Sequence, residues 1–244
     1  MGKKGPSRHL KREMSPKFWP IHRKEHVWAV KTSPGPHALK ESMLLLVVVR
    51  DVLRYAEIGK EAKMLIGQGK MLVDGKPRKD HRYPVGIMDI VELPDAKQLF
   101  RVLPAQGDRL TLHPIKGDEA GFKLCRIVGK TTVKARKTQL NLHDGRNVIL
   151  TDEEDNYKVN DTLQVKVPVQ EVIGNITFEE GVLAIITGGR SQGKYGVVTG
   201  FGSEPGEKQT ATIRTPEGEE VRTLASYVFA VGSGKPLISL PGGS

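Results

Sequence analysis

The chain has 244 residues, with 38 Lys+Arg against 28 Asp+Glu, a formal net charge of +10 and a sequence pI near 9.6, a balance that points to nucleic acid or an anionic membrane as partner. A membrane-spanning helix is excluded because the longest apolar run, residues 43–49, falls far short of the ~20 residues a bilayer requires, and no signal peptide is expected because no apolar stretch follows the basic N-terminus. The length suits one or two ordinary domains or several small ones, and a single cysteine, Cys125, excludes an internal disulfide or a thiolate metal cluster, pointing to a reducing compartment and a buried structural thiol.

Residues 1–40 read as a basic arm. Residues 1–31 hold nine cations (Lys3, Lys4, Arg8, Lys11, Arg12, Lys17, Arg23, Lys24 and Lys31) against Glu13 and Glu25, so most of the net charge lies in the first eighth of the chain. Pro6, Pro16, Pro20, Pro34 and Pro36 break any long helix. Phe18, Trp19 and Trp28 interleave with the cations, which sets planar groups that stack on bases beside charges that neutralise phosphate. An arm of this kind is expected to be disordered alone and ordered on RNA. His22 and His26 have metal-ligand spacing, but Arg23 and Lys24 stand between them and no Glu follows His22, so no metal is expected there.

Residues 41–66 predict two short helices. In the first, Leu44, Val48, Val52 and Tyr55 share one face and Arg50, Asp51, Arg54 and Glu57 the other; in the second, Ala62, Leu65 and Ile66 face inward and Lys60 and Lys63 outward. A helix end closed by Gly67 and Gly69 follows, then a strand at 71–73, a turn at Asp74-Gly75, a basic excursion and a return strand at 87–93. Lys70, Lys76, Arg78, Lys79 and Arg82 put five cations within thirteen residues, opposed by Asp74 and Asp80, a loop that suits a polyanion. This order of elements resembles the alpha-L, or S-four-type, RNA-binding domain (here 41–98), on Gly69-Lys70, Val73-Asp74-Gly75-Lys76 and Asp89-Ile90-Val91. It departs at Asp74, where Asn is commoner; either residue tolerates the tight turn.

Beyond Pro94 apolar residues alternate with polar ones at 110–113, 122–128, 139–143, 148–150 and 163–167, predicting the strands of a small β-rich unit over 99–172 with a hairpin turn at Asp144-Gly145. Cations run along Arg126, Lys130, Lys134, Arg136 and Lys137; the balance reverses at Asp152, Glu153, Glu154 and Asp155, which read as solvent-exposed acids with no chemistry assigned.

Two phosphate-loop decoys are rejected. Gly129-Lys130-Thr131 ends like a Walker A, but Leu124 stands where the first glycine belongs. Gly188 through Lys194 matches the glycine spacing, yet Tyr195 replaces the small hydroxyl and Gly196-Val197-Val198-Thr199 continues as a strand where a helix is required. Residues 181–190 followed by Gly193-Lys194-Tyr195-Gly196-Val197-Val198 instead resemble the KOW motif, two strands meeting across a glycine-rich basic turn in an SH3-like barrel (here 173–231). Arg190 and Lys194 supply charge and Tyr195 a stacking ring; the motif often has a cation where this chain has Gln192. A barrel that packs on its neighbours without touching RNA stays open as the alternative. Residues 232–244 read as a tail that is ordered only if something holds it.

Arm, alpha-L unit, strand-rich middle and KOW barrel occur in the order of the archaeal and eukaryotic small-subunit ribosomal protein family S-four-e, which the chain resembles over nearly its whole length. The resemblance is carried by residues 5–12, Gly35-Pro36-His37, Asp74-Gly75-Lys76 through Tyr83-Pro84-Val85-Gly86 to Met88-Asp89, and Thr187-Gly188-Gly189-Arg190. It implies an α+β multidomain structural constituent of the small ribosomal subunit, without catalytic activity or cofactor, whose partners are small-subunit rRNA and neighbouring ribosomal proteins. The shortness of the chain favours an archaeal source. The competing classes are an RNA-modifying enzyme carrying an alpha-L domain and a KOW-containing transcription elongation factor.

Overall fold

A computed structural model describes residues 7–107, 109–150, 156–202 and 208–241; Lys3, Lys4 and the acidic run at 152–155 lie outside them. The chain is mostly β-sheet with few helices. Among the described residues no helix is long and apolar enough to cross a membrane.

The arm opens with a two-stranded ladder, β1 (Leu10–Lys11) against β2 (Trp28–Ala29). Contrary to the expectation of an arm without a fold of its own, Leu10 and Trp19 are buried in the core formed by the following helices and strands. β3 (Ser42–Leu44) then runs into α1 (Leu45–Val47) and a π turn, Val48–Val52. The predicted one-sided first helix is corrected here: residues 43–49 are at most 3% exposed all round, because a run of seven apolar residues has no polar face to offer water, whereas Tyr55 remains exposed and donates its hydroxyl to Gln98 over 2.7 Å. α2 (Gly59–Gly67) keeps its predicted sides, with Ala62 and Ile66 buried and Lys60 and Lys63 exposed, and the Glu61 carboxylate accepts the backbone amides of Glu57 and Ile58 at its start.

The hairpin that follows is tight. β4 (Leu72–Val73) and β5 (Lys76–Pro77) flank a two-residue turn in which Asp74 (φ 53°) and Gly75 (φ 71°) are both left-handed, the conformation that Asp-Gly favours. After β6 (Pro84–Gly86), which pairs with β3, come β7 (Ile90–Leu93), β8 (Gln98–Ala105) and β9 (Arg109–Pro114), giving a five-stranded sheet β5-β4-β7-β8-β9. Strand 110–113, expected in the strand-rich middle, therefore hydrogen-bonds within this first sheet. Two tight links, a turn at Pro94–Ala96 closed by left-handed Lys97 and one at left-handed Gly107, make successive hairpins and keep β8 and β9 beside β7.

The middle sheet, β12-β11-β10-β13-β14, is built from β10 (Phe122–Thr132), β11 (Thr138–Leu142), β12 (Asn147–Ile149), β13 (Thr162–Lys166) and β14 (Val172–Ile176), with the predicted Asp144-Gly145 turn between β11 and β12. The last sheet, β18-β17-β16-β15-β19, takes β15 (Val182–Ile186), β16 (Tyr195–Gly202), β17 (Thr210–Arg214), β18 (Glu220–Leu224) and β19 (Val228–Ser233). Residues 237–240 are held: Ile238 and Leu240 are buried against this sheet, Leu237 donates its amide to the Val231 carbonyl, and Ser239 donates its amide and hydroxyl to Glu119 over 3.1 Å each.

Candidate nucleic-acid interface

The first group of cations lies on α2 and on the loop after the Asp74-Gly75 hairpin turn. Lys60 and Lys63 project from the wet side of α2, and Lys76, Lys79 and Arg82 are exposed on the loop beside it. Burial and the nearby Lys63 ammonium hold the His81 imidazole below its ordinary value of 6.5, the electrostatic sign of helix and loop sharing a positive face. Lys70 is half-exposed and paired with Asp95 over 3.1 Å, a contact that solvent screens. Arg78 is different: its guanidinium sits 4.4 Å from the Tyr83 ring centroid, so this cation is partly committed to holding the loop.

In the arm, Arg8, Lys11, Lys17 and Lys24 are exposed, but three candidates turn inward. Arg12 is buried, donating to the His22 carbonyl and to Glu25. Arg23 gathers the carbonyls of Glu13 (2.8 Å), Ser15 and Pro16. Trp19 is 3% exposed and donates its indole N–H to the Ser42 carbonyl over 2.9 Å, which leaves no ring face for a base and corrects its sequence-based placement as a stacking residue. Trp28, 56% exposed and packed beside the His9 ring, is the arm's open aromatic surface.

On the last sheet Arg190 is exposed, Lys194 is paired with Glu219 over 2.5 Å, and Tyr195 is half-buried against the apolar cluster of Phe229 and Val231. The turn itself packs on the first sheet. Gln192 is buried and donates to the Arg109 carbonyl over 3.0 Å, and a β-carbon on Gly193 (φ 84°) would stand 2.7 Å from the Ala105 backbone. A cation at position 192 would be buried without a counter-charge, which accounts for glutamine there.

Sequence reasoning missed the group that holds these surfaces in register. Lys123 on β10 is fully buried, with its ammonium 3.0 Å from Asp74, 3.1 Å from Asp144 and in close contact with Asp89. Arg146 joins Asp74 (2.6 Å) and Asp144 (3.2 Å), and His37 Nε2 lies 3.0 Å from Asp89. Against the upward push of burial, Lys123 and His37 hold the Asp89 carboxyl far below the usual range; Asp144 is likewise held down, to about 2, chiefly by Lys123. The departure at Asp74 is explained here: one carboxylate oxygen accepts the Ile90 amide, as the side chain of an asparagine would, and the other accepts from Lys123 and Arg146. In the sequence these residues are spread from 37 to 146, so no local spacing announces them.

Among the described residues one group of three possible metal ligands lies within 4.8 Å, Cys125, His143 and Asp144. Burial pushes the Cys125 thiol well up, keeping its proton, which it directs at Asp144, and Lys123 already occupies that carboxylate. This is an internal polar cluster ill suited to a cation.

Comparisons with known proteins agree with the geometry. A family model described as "Ribosomal family S4e" matches residues 96–172, and one described as "RS4NT (NUC023) domain" matches residues 4–40. The chain is similar to the small ribosomal subunit protein eS4 of Methanothermobacter thermautotrophicus, 47% identical over 97% of both chains, and to that of Methanosphaera stadtmanae, 46% identical over 99% of both. Its fold is similar to the crystal structure of the 30S ribosomal protein S4e from Thermoplasma acidophilum, with a TM-score of 0.68 and 29% identity over 79% of this chain and 96% of that one. With identity near one half sustained along essentially the full length, the chain belongs to the S4e family of ribosomal proteins.

Proposed function

We infer that the chain is a structural constituent of the small ribosomal subunit in the cytoplasm, binding small-subunit rRNA and neighbouring ribosomal proteins, and that it is not an enzyme. The observation that carries this is the division of its cations: Lys60 and Lys63 on α2, Lys76, Lys79 and Arg82 on the following loop, and Arg8, Lys11, Lys17 and Lys24 along the arm stay in solvent, while Lys123 and Arg146 are neutralised inside. Exposed cations beside rigid loops neutralise phosphate and fix orientation; specificity then comes from RNA shape and unpaired bases.

Within this function we assign the arm, an alpha-L-type unit, a strand-rich middle and a KOW-type last unit. The sheet order favours extending the alpha-L-type unit through β9 and the middle unit through β14. Sedimentation of a tagged copy through a density gradient tests the assignment: it travels with the small subunit and is released by ribonuclease. Migration apart from ribosomal particles would refute it.

A further inference from the structure

A cavity of about 330 Å³ opens where the arm, the first sheet, the middle sheet and the last sheet meet, lined among others by Phe18, Lys40, Glu41, Arg126, Gly188 and Tyr227. Its volume falls at the small end of the ~300–1,000 Å³ typical of ligand sites. Sequence reading attached no role to Tyr227, and the surfaces described above do not use it.

The tyrosine is held in an unusual way for an exposed side chain. Its own carbonyl accepts from the Thr187 amide (2.7 Å) and hydroxyl (2.9 Å), and the carbonyls on either side, Ser226 and Val228, both accept from the Arg126 guanidinium. Three consecutive carbonyls are thus fixed. The ring spans two glycines: a β-carbon at Gly188 would lie 3.0 Å from Cδ1 and one at Gly189 3.6 Å from Cδ2. Any other residue at 188 would require the ring to shift by a few tenths of an ångström. Yet the residue is 40% exposed and lines the cavity. An aromatic ring seated on glycine backbone and still partly exposed loses little rotamer freedom when a flat group stacks on it.

The chemistry of the rim selects the flat group. Lys40 lines the cavity and is exposed to solvent, and Arg126 lines it from the middle sheet; Glu41 is the acid in the wall and acts electrostatically on Arg126. Phe18 lines the same space from the arm, supplying a second aromatic. Aromatic rings among polar groups, with an exposed lysine in the lining, match a base with its phosphate outside.

We propose that this cavity takes a single unpaired nucleotide of the small-subunit rRNA, its base stacked on Tyr227 and its phosphate against Lys40. The proposal rests on the ribosomal reading above and adds a specific pocket to it. The full-length chain bound to small-subunit rRNA is irradiated with ultraviolet light and the crosslinked peptides are sequenced. Tyr227 or Phe18 is expected to carry a nucleotide from a single-stranded stretch. Tyr227→Ala should lose the Tyr227 crosslink and weaken rRNA affinity at least about fivefold, while Tyr227→Phe keeps the affinity, since stacking needs only the ring. Crosslinks confined to the arm and to the 60–82 face, Tyr227→Ala binding as tightly as wild type, or a Tyr227 crosslink to another protein in whole subunits would each overturn it. Wild-type protein that fails to bind rRNA would instead sink the ribosomal reading itself.

Discussion

The Lys123 ammonium on the middle sheet lies 3.0 Å from the Asp74 carboxylate at the tip of the first sheet's hairpin, and both side chains are closed to solvent. The turn that presents Lys76 and Lys79 is thereby tied from behind to a different sheet. Removing Lys123 would leave Asp74, Asp89 and Asp144 facing one another with Arg146 and His37 as the remaining partners. Lys123→Met should therefore cost about 3–5 kcal/mol in urea unfolding. Asp74→Asn keeps the left-handed turn and the bond to Ile90, so it should cost less, about 1–3 kcal/mol. Wild-type stability in Asp74→Asn would mean that the carboxylate charge contributes nothing.

Acid should weaken the fold in two stages. Burial, then Lys123, pushes the His143 imidazole down from 6.5 to about 3, so the unfolded chain binds a proton there that the folded chain refuses; stability from this group is complete above pH 6.5 and declines as pH falls toward 3. Asp144, held at about 2 against an ordinary 3.8, contributes stability that is complete above pH 3.8 and lost as pH falls through 2. Urea midpoints measured down this range should fall in both windows, and His143→Gln should make the upper one shallower. An unchanged upper slope in that variant would place the loss in other histidines.

Exposed cations should govern binding and leave stability alone. Changing Lys63, Lys76 and Lys79 together to Gln should lower the slope of log K against log salt by about 2–3 in rRNA binding, with the melting temperature nearly unchanged. Arg78 is left out of this set because its contact with Tyr83 makes it part of the loop's support. A slope equal to wild type would move the RNA contact elsewhere.

Trp19 should behave as a core residue. Trp19→Ala should cost about 3–5 kcal/mol of stability. Lys17→Ala and Lys24→Ala, on exposed neighbours, should leave the melting temperature within experimental scatter and reduce only the salt dependence of binding. Equal melting temperatures for Trp19→Ala and wild type would show that the arm is not seated in the core.

Local chemistry was readable wherever backbone conformation decides. The Asp74-Gly75 and Asp144-Gly145 turns, the amphipathic sides of α2 and most strands follow from residue preferences within a few positions. The first helix was misread because amphipathic spacing can be fitted to part of a run that is apolar throughout. The sheet membership of β9 was misplaced because alternation marks a strand without naming its partner, and β8 was not singled out as a strand at all.

The sequence by itself determined that a basic chain carries a cation-rich, proline-broken arm, an Asp-Gly hairpin and a glycine-rich turn in the order of its family, since these depend on composition and short spacing. Only the tertiary structure decided which charges meet solvent. Arg12, Arg23, Lys123 and Arg146 look like Lys60 and Lys76 in one dimension, yet Arg23 is taken up by backbone carbonyls and the other three are neutralised by carboxylates brought from as far as 72 positions away. Burial depends on what other segments pack against a side chain, and that information is absent from any local window of the chain.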